Sequence, residues 1–256
     1  MEVQIKKTVK AGNSSAVVLP RAWLNQKVRV ELVKKSHEEM LYDVLELVKK
    51  HIQLKEIVGI YLVGSYARGE ESRESDIDIL VMTDNIDKKM ISEGIYNILL
   101  VSKNLLKQKL EKDLFPIGQM LKEAKPLLNA DYIEQIAVKV TKKNVKWYLD
   151  TTEDKLKIIK KVISKKGKYA DKRVIYTLIL RIRTLHIIKK LVKNQTYSNK
   201  QFIKTIRGIS GKDSYEEYLV VKNDLKNKEK ISMEEAEKLY NYLKKELKEV
   251  KDLLKY

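Results

Sequence analysis

The chain has 256 residues, 43% hydrophobic and 34% charged, with a formal net charge of +18 and no cysteine. That length suits one large domain or two to three smaller ones; disulfides, thiolate metal sites and a cysteine nucleophile are excluded. No membrane span is expected without an eighteen-residue apolar run, and Glu2, Lys6 and Lys7 argue against a secretory leader, so a cytoplasmic protein is the expectation.

Residues 1–34 read as short strands. Val3 and Ile5 alternate with charged neighbours, Ala16-Val17-Val18-Leu19 is an apolar run, and Val28, Val30 and Leu32 alternate with Arg29 and Glu31. Gly12-Asn13-Ser14-Ser15 and Asn25-Gln26 supply turns, and Pro20 stands where a helical turn could begin. A piece this small cannot bury its own apolar faces and should pair with a second copy. The run Lys10 to Pro20, with Trp23 and Val28-Arg29-Val30, resembles the AbrB/SpoVT swapped-hairpin domain. That resemblance implies a homodimer of interleaved hairpins that binds DNA through Lys6, Lys7, Lys10 and Arg21. Asn25 stands where the family often has Gly, but Asn tolerates the left-handed conformation.

Ser36 with Glu39 is a capping-box signature, and the apolar spacing from Met40 to Ile52 predicts a helix over about 36–54. Val58 to Val63 predicts a strand, Gly64-Ser65 a tight turn, and Ile77 to Val81 a second strand. Residues 90–111 carry a helical pattern, and Leu114-Phe115-Pro116-Ile117 suits an edge strand, where Pro is tolerated.

The chemistry sits between the two strands. Gly64 lacks a side chain, so backbone N–H groups can approach a phosphate, and the Ser65 hydroxyl can add a bond. Asp76 and Asp78, two apart on a strand, point to one face roughly 6.5–7 Å apart. Carboxylates so placed can share Mg²⁺, which takes oxygen ligands together with substrate phosphates.

The stretch Gly64-Ser65-Tyr66-Ala67-Arg68-Gly69-Glu70 to Ser75-Asp76-Ile77-Asp78-Ile79-Leu80-Val81 resembles the minimal nucleotidyltransferases of the DNA polymerase beta superfamily. The resemblance implies a mixed sheet flanked by helices and two-Mg²⁺ transfer of a nucleotidyl group from an NTP such as ATP. Carried over by position, Gly64 and Ser65 grip the triphosphate, Asp76 and Asp78 bind metal, and Arg68 and Arg73 steady phosphates. The family places a third carboxylate on the following strand; Asp113 is the candidate, completing the metal site and helping to deprotonate the acceptor.

Beyond Asn144 the chain reads as helices near 151–165, 171–194, 199–208, 214–226 and 232–254, with Ser232 and Glu235 repeating the capping-box pattern. Net charge is +5 over residues 1–34, −1 over 35–150 and +14 over 151–256, a pattern that draws polyanions to the two ends. Arg181, four residues, then His186 resembles the motif of HEPN ribonucleases.

The expected fold class is α+β: an N-terminal β swapped hairpin (1–34), a central mixed-sheet nucleotidyltransferase domain (35–143) and a C-terminal helical bundle (144–256) covering the cleft or binding the acceptor. A nucleotidyltransferase acting on an RNA, protein or other acceptor leads. A DNA-binding regulator or antitoxin using the hairpin, and a ribonuclease using Arg181 and His186, are the alternatives.

Overall fold

The computed structural model describes residues 4–6, 8–31, 33, 35–72, 75–87, 89–164, 167–222 and 231–254. At the N-terminus β1 (Val9–Ala11) and β2 (Ser14–Ala16) pair antiparallel around Gly12, whose φ of 59° is a left-handed conformation. Pro20 starts a single 3-10 turn at Arg21–Trp23, and Asn25 takes φ 63°, as its side chain permits. Residues 28, 30 and 31, expected in a strand, have no regular structure. Strands need a neighbour for their backbone groups, and none pairs with them among the described residues; Leu32 lies outside those.

Helix α1 (His37–Val48) opens with the expected capping box. The Ser36 hydroxyl accepts from the Glu39 amide at 3.2 Å, and the Glu39 carboxylate accepts from the Ser36 amide at 2.8 Å. It ends well before residue 54. Strand β3 (Ile57–Val63) leads into the one-turn helix α2 (Gly64–Arg68), a loop, and β4 (Ile77–Thr83).

Residues 90–111 are not one helix. They form a hairpin of β5 (Lys89–Glu93) and β6 (Tyr96–Ser102), followed by α3 (Lys103–Lys112). Gly94, at φ 61°, makes the turn, and the Ser102 hydroxyl caps α3 by accepting from the Leu105 amide. A strand buried on both faces is apolar throughout, and periodicity alone does not separate it from a buried helix. Leu114 to Ile117 is likewise not an edge strand: it is a turn into α4 (Ile117–Glu123). The Leu114 amide donates to the Asn144 carbonyl and its side chain is fully buried in the helical core.

Strand β7 (Lys125–Leu128) and the short α5 (Ala130–Glu134) complete the central unit. The five-stranded sheet has the order β5-β6-β4-β3-β7, with β4 and β6 parallel and the other pairs antiparallel. Both faces are covered. Ile60, Leu62, Ile77, Ile79, Ile98 and Leu100 pack on α1. On the opposite face Tyr61, Val63, Leu80, Met82, Leu99 and Val101 pack against α3 and α4. The helical unit follows as α6 (Lys142–Ile163), α7 (Lys172–Val192), α8 (Asn199–Ser210), α9 (Lys212–Lys222) and α10 (Met233–Leu253). Helix α7 lies at its centre, with Ile175, Leu178, Ile179, Ile182, Leu185 and Ile188 buried. Among the described residues no helix is long and apolar enough to cross a membrane.

Candidate active site

Strand register assembles the site. Val63 at the end of β3 stands opposite Asp78 on β4, which brings the Gly64 turn against the Asp78 carboxylate. Gly64 has φ 70°, and a Cβ there would lie 2.9 Å from Asp78 Cγ, so no other residue fits without displacing the carboxylate. Asp76 and Asp78 continue the face that carries Leu80 and Met82. Asp76 is exposed and Asp78 half-buried. Burial, then the negative charges of Asp76 and Glu123, push the Asp78 carboxyl above its ordinary range, while Arg68 and Lys222 offset part of this.

Beside them on the parallel strand β6, Asn97 pairs in register with Asp78. Its Nδ2 donates to Asp76 Oδ2 at 3.1 Å, and its Oδ1 accepts from the Ser92 hydroxyl at 2.8 Å. The parallel neighbour of the strand that bears Asp76 and Asp78 therefore carries an amide, not a carboxylate, at the level of Asp78.

A buried ionic chain backs the turn. Glu123, at the end of α4 and 4% exposed, accepts from the Gly64 amide at 2.8 Å through Oε1. Through Oε2 it accepts from Arg68 Nη1 at 2.7 Å. Arg68 Nε donates to Glu70 at 3.0 Å, and its guanidinium lies over the Tyr197 ring. Glu70 in turn accepts from the Ser198 hydroxyl at 2.7 Å and from the Asn199 and Lys200 amides, which begin α8. The Gly64 amide is thus occupied by a protein carboxylate, and Arg68 is an internal counter-ion tying the turn to the helical unit. Sequence spacing signalled neither Glu123 nor Glu70, since both act across the fold.

Of the other expected residues, Ser65 follows Gly64 in the first turn of α2. Asp113 ends α3, where it accepts from Tyr148 Oη at 2.8 Å and pairs with Lys109. Lys6, Lys10 and Arg21 are exposed at the N-terminal hairpin. Arg73 and Lys7 lie outside the described residues.

Arg181 and His186 do not converge either. Five positions apart, they point roughly 140° apart around α7. Arg181 donates to Thr151 and lies over Trp147, whereas His186 packs edge-on to Tyr197 and beside Phe202. The ribonuclease pairing has no shared face.

Among the described residues no group of three or more His, Asp or Glu side chains is placed to hold a metal ion. Two carboxylates on one open face still fit Mg²⁺, a cation commonly held by one or two carboxylates plus substrate phosphates. Replacing Gly64 with Ala forces a left-handed side chain into Asp78, at a cost of about 2 kcal/mol. Expected are a lower melting temperature and a displaced Asp78; a variant with unchanged melting and activity would count against this packing.

The family model for nucleotidyltransferase domains matches residues 41–203, more than half of the chain. The chain belongs to the nucleotidyltransferase domain family. The nucleotidyltransferase match runs from within α1 to within α8, so it takes in the Gly64 turn, both aspartates and the Glu70 contact with α8. A putative protein adenylyltransferase of Methanocaldococcus jannaschii is 40% identical over 57 residues, which make up 21% of this chain and 57% of that relative. The chain thus spans little more than half the length of this curated relative. Among solved nucleotidyltransferase structures, the spectinomycin adenyltransferase AAD(9) of Enterococcus faecialis, with ATP and spectinomycin, is 16% identical. It overlaps 82% of this chain and 98% of its own at a TM-score of 0.45. A nucleotidyltransferase-like protein of Exiguobacterium sibiricum is 14% identical over 82% of this chain and 75% of its own, at a TM-score of 0.39.

Proposed function

We propose that this nucleotidyltransferase moves an adenylyl group from ATP to an acceptor hydroxyl, with Asp76 and Asp78 holding a Mg²⁺-bound triphosphate. The observation that supports this most is the placement of both aspartates on one face beside the Gly64-Ser65 turn. The partial similarity to a putative protein adenylyltransferase supports ATP as donor and a protein hydroxyl as acceptor. In the proposed reaction the acceptor oxygen bonds to the α-phosphorus, the bond to the bridging oxygen breaks, pyrophosphate leaves, and the acceptor proton passes to solvent. Bound Mg²⁺ supplies charge neutralisation on the phosphates. The protein's share is to orient the triphosphate by the Asp pair and Ser65, and to keep the turn rigid through Glu123 and Arg68. Incubation with α-labelled ATP, Mg²⁺ and candidate proteins tests this. Label carried to protein, with pyrophosphate released, is the expected result; ATP left intact with every acceptor and no self-labelling would overturn it.

A second copy of the chain is the proposed partner of the N-terminal segment. Ile5, Val9, Val18, Leu24, Val28, Val30 and Val33 are all exposed there, more apolar surface in one short stretch than a monomer leaves to water. Sedimentation is expected to give a dimer that becomes a monomer when residues 1–34 are deleted; a monomeric full-length chain would refute this.

A further inference from the structure

We infer that Asn97 sets the cation occupancy of this site, making cation loading depend on the nucleotide. The inference rests on the reading of Asp76 and Asp78 as cation ligands. Three side chains meet at this end of the sheet: Asp76, Asp78 and, in register on the parallel neighbour, Asn97. The third is neutral. Its carboxamide is held at both ends, with the oxygen accepting from Ser92 and the nitrogen donating to Asp76. An amide nitrogen in this position has no lone pair to give a cation, and it engages one oxygen of a carboxylate that would otherwise be free to coordinate.

Two consequences follow from this geometry. Without nucleotide, the Asn97 donor holds Asp76 in place, as a bound cation would otherwise do. And among the described residues the site offers two carboxylates, one of them already hydrogen-bonded, too little negative charge to retain a hydrated divalent ion. The cation therefore arrives with the triphosphate, whose oxygens complete its shell, and a single ion is held per nucleotide. Asn97 is a positioning residue: it touches Asp76 and no reacting atom.

Replacing Asn97 with Asp keeps the shape and adds the missing charge. Mn²⁺ titration of the full chain, followed by electron paramagnetic resonance of the free ion, tests the inference without reference to activity. Wild type is expected to bind Mn²⁺ weakly alone and to take up one equivalent with a non-hydrolysable ATP analogue. N97D is expected to bind Mn²⁺ alone at least about tenfold more tightly and to take up a second equivalent with the analogue. N97A, which loses the donor without gaining charge, should show no such gain. Equal Mn²⁺ affinity in wild type and N97D would overturn the inference, as would two equivalents in wild type. Should N97D prove too unstable to titrate, its melting temperature carries the same test, because Mn²⁺ must raise it more than it raises that of wild type. Wild type taking up no Mn²⁺ with the analogue would instead overturn the reading of the aspartates, and the inference with it. A wild type that loads one ion beside an unresponsive N97D sinks the inference alone.

Discussion

Changing Asp76 and Asp78 together to Asn is expected to abolish nucleotidyl transfer while leaving the protein at least as stable as before. The two effects separate a functional pair from a structural one. Asp78 is held above its ordinary carboxyl range, first by burial and then by Asp76 and Glu123. The sign is plain: a carboxyl whose folded-state affinity for a proton is raised is costly to ionise, so the folded state loses stability as pH rises through that range. Asn removes this cost at neutral pH and keeps the side-chain volume. Activity should meanwhile fall by about a thousandfold or more, since charge neutralisation on the phosphates is the largest contribution asked of the site. Stability–activity opposition of this kind marks residues retained for function. Melting curves and the labelled-ATP assay on the same preparation check both halves. A double variant that transfers at the wild-type rate would remove the aspartates from the mechanism.

The second large effect is expected at the buried chain behind the turn. Replacing Glu123 with Ala strips Arg68, 12% exposed, of one of its two carboxylates and leaves the Gly64 amide without its acceptor. Breaking a buried pair by removing one partner costs about 3–5 kcal/mol, or roughly 10 °C in melting temperature for a chain of this size. Glu123→Gln, which retains an acceptor for Gly64, should recover part of that loss. Glu70 adds a pH signature. Burial raises its carboxyl, but bonds from Ser198, Asn199, Arg68 and Lys200 outweigh burial and bring it down to about 2. The stability it contributes, about 3 kcal/mol by linkage, is present above its unfolded value near 4.5 and is lost as pH falls from there through about 2. Glu70→Gln should therefore be less stable than wild type at neutral pH, with the gap narrowing in acid. A gap constant from neutral pH into acid would contradict the assignment.

Much of the architecture was legible because it is written in short-range signals. The Ser36–Glu39 and Ser232–Glu235 boxes close as expected, and the Gly64 turn and its two aspartates are local in sequence once β3 and β4 are recognised as strands. What escaped depended on burial or on distant contacts. Strand β6 is buried on both faces and its apolar run mimics a helical pattern, with Gly94 marking the turn from the mostly exposed β5; without that hairpin Asn97 does not stand out. Asp113 stands just before Leu114 to Ile117, a run that suits an edge strand because Pro is tolerated there, yet Asn144, whose carbonyl receives the Leu114 amide, draws that segment onto α6. Glu123 lies 59 residues from Gly64, and Glu70 lies 128 from Ser198. No spacing rule joins positions so far apart.

Calorimetric titration of a non-hydrolysable ATP analogue into the full chain, with Mg²⁺ and again with chelator, asks most directly whether Asp76 and Asp78 bridge a cation to a triphosphate. Expected is Mg²⁺-dependent binding that disappears both with chelator and in the D76N/D78N chain. Binding of equal strength under all three conditions, or none with Mg²⁺ present, would contradict it.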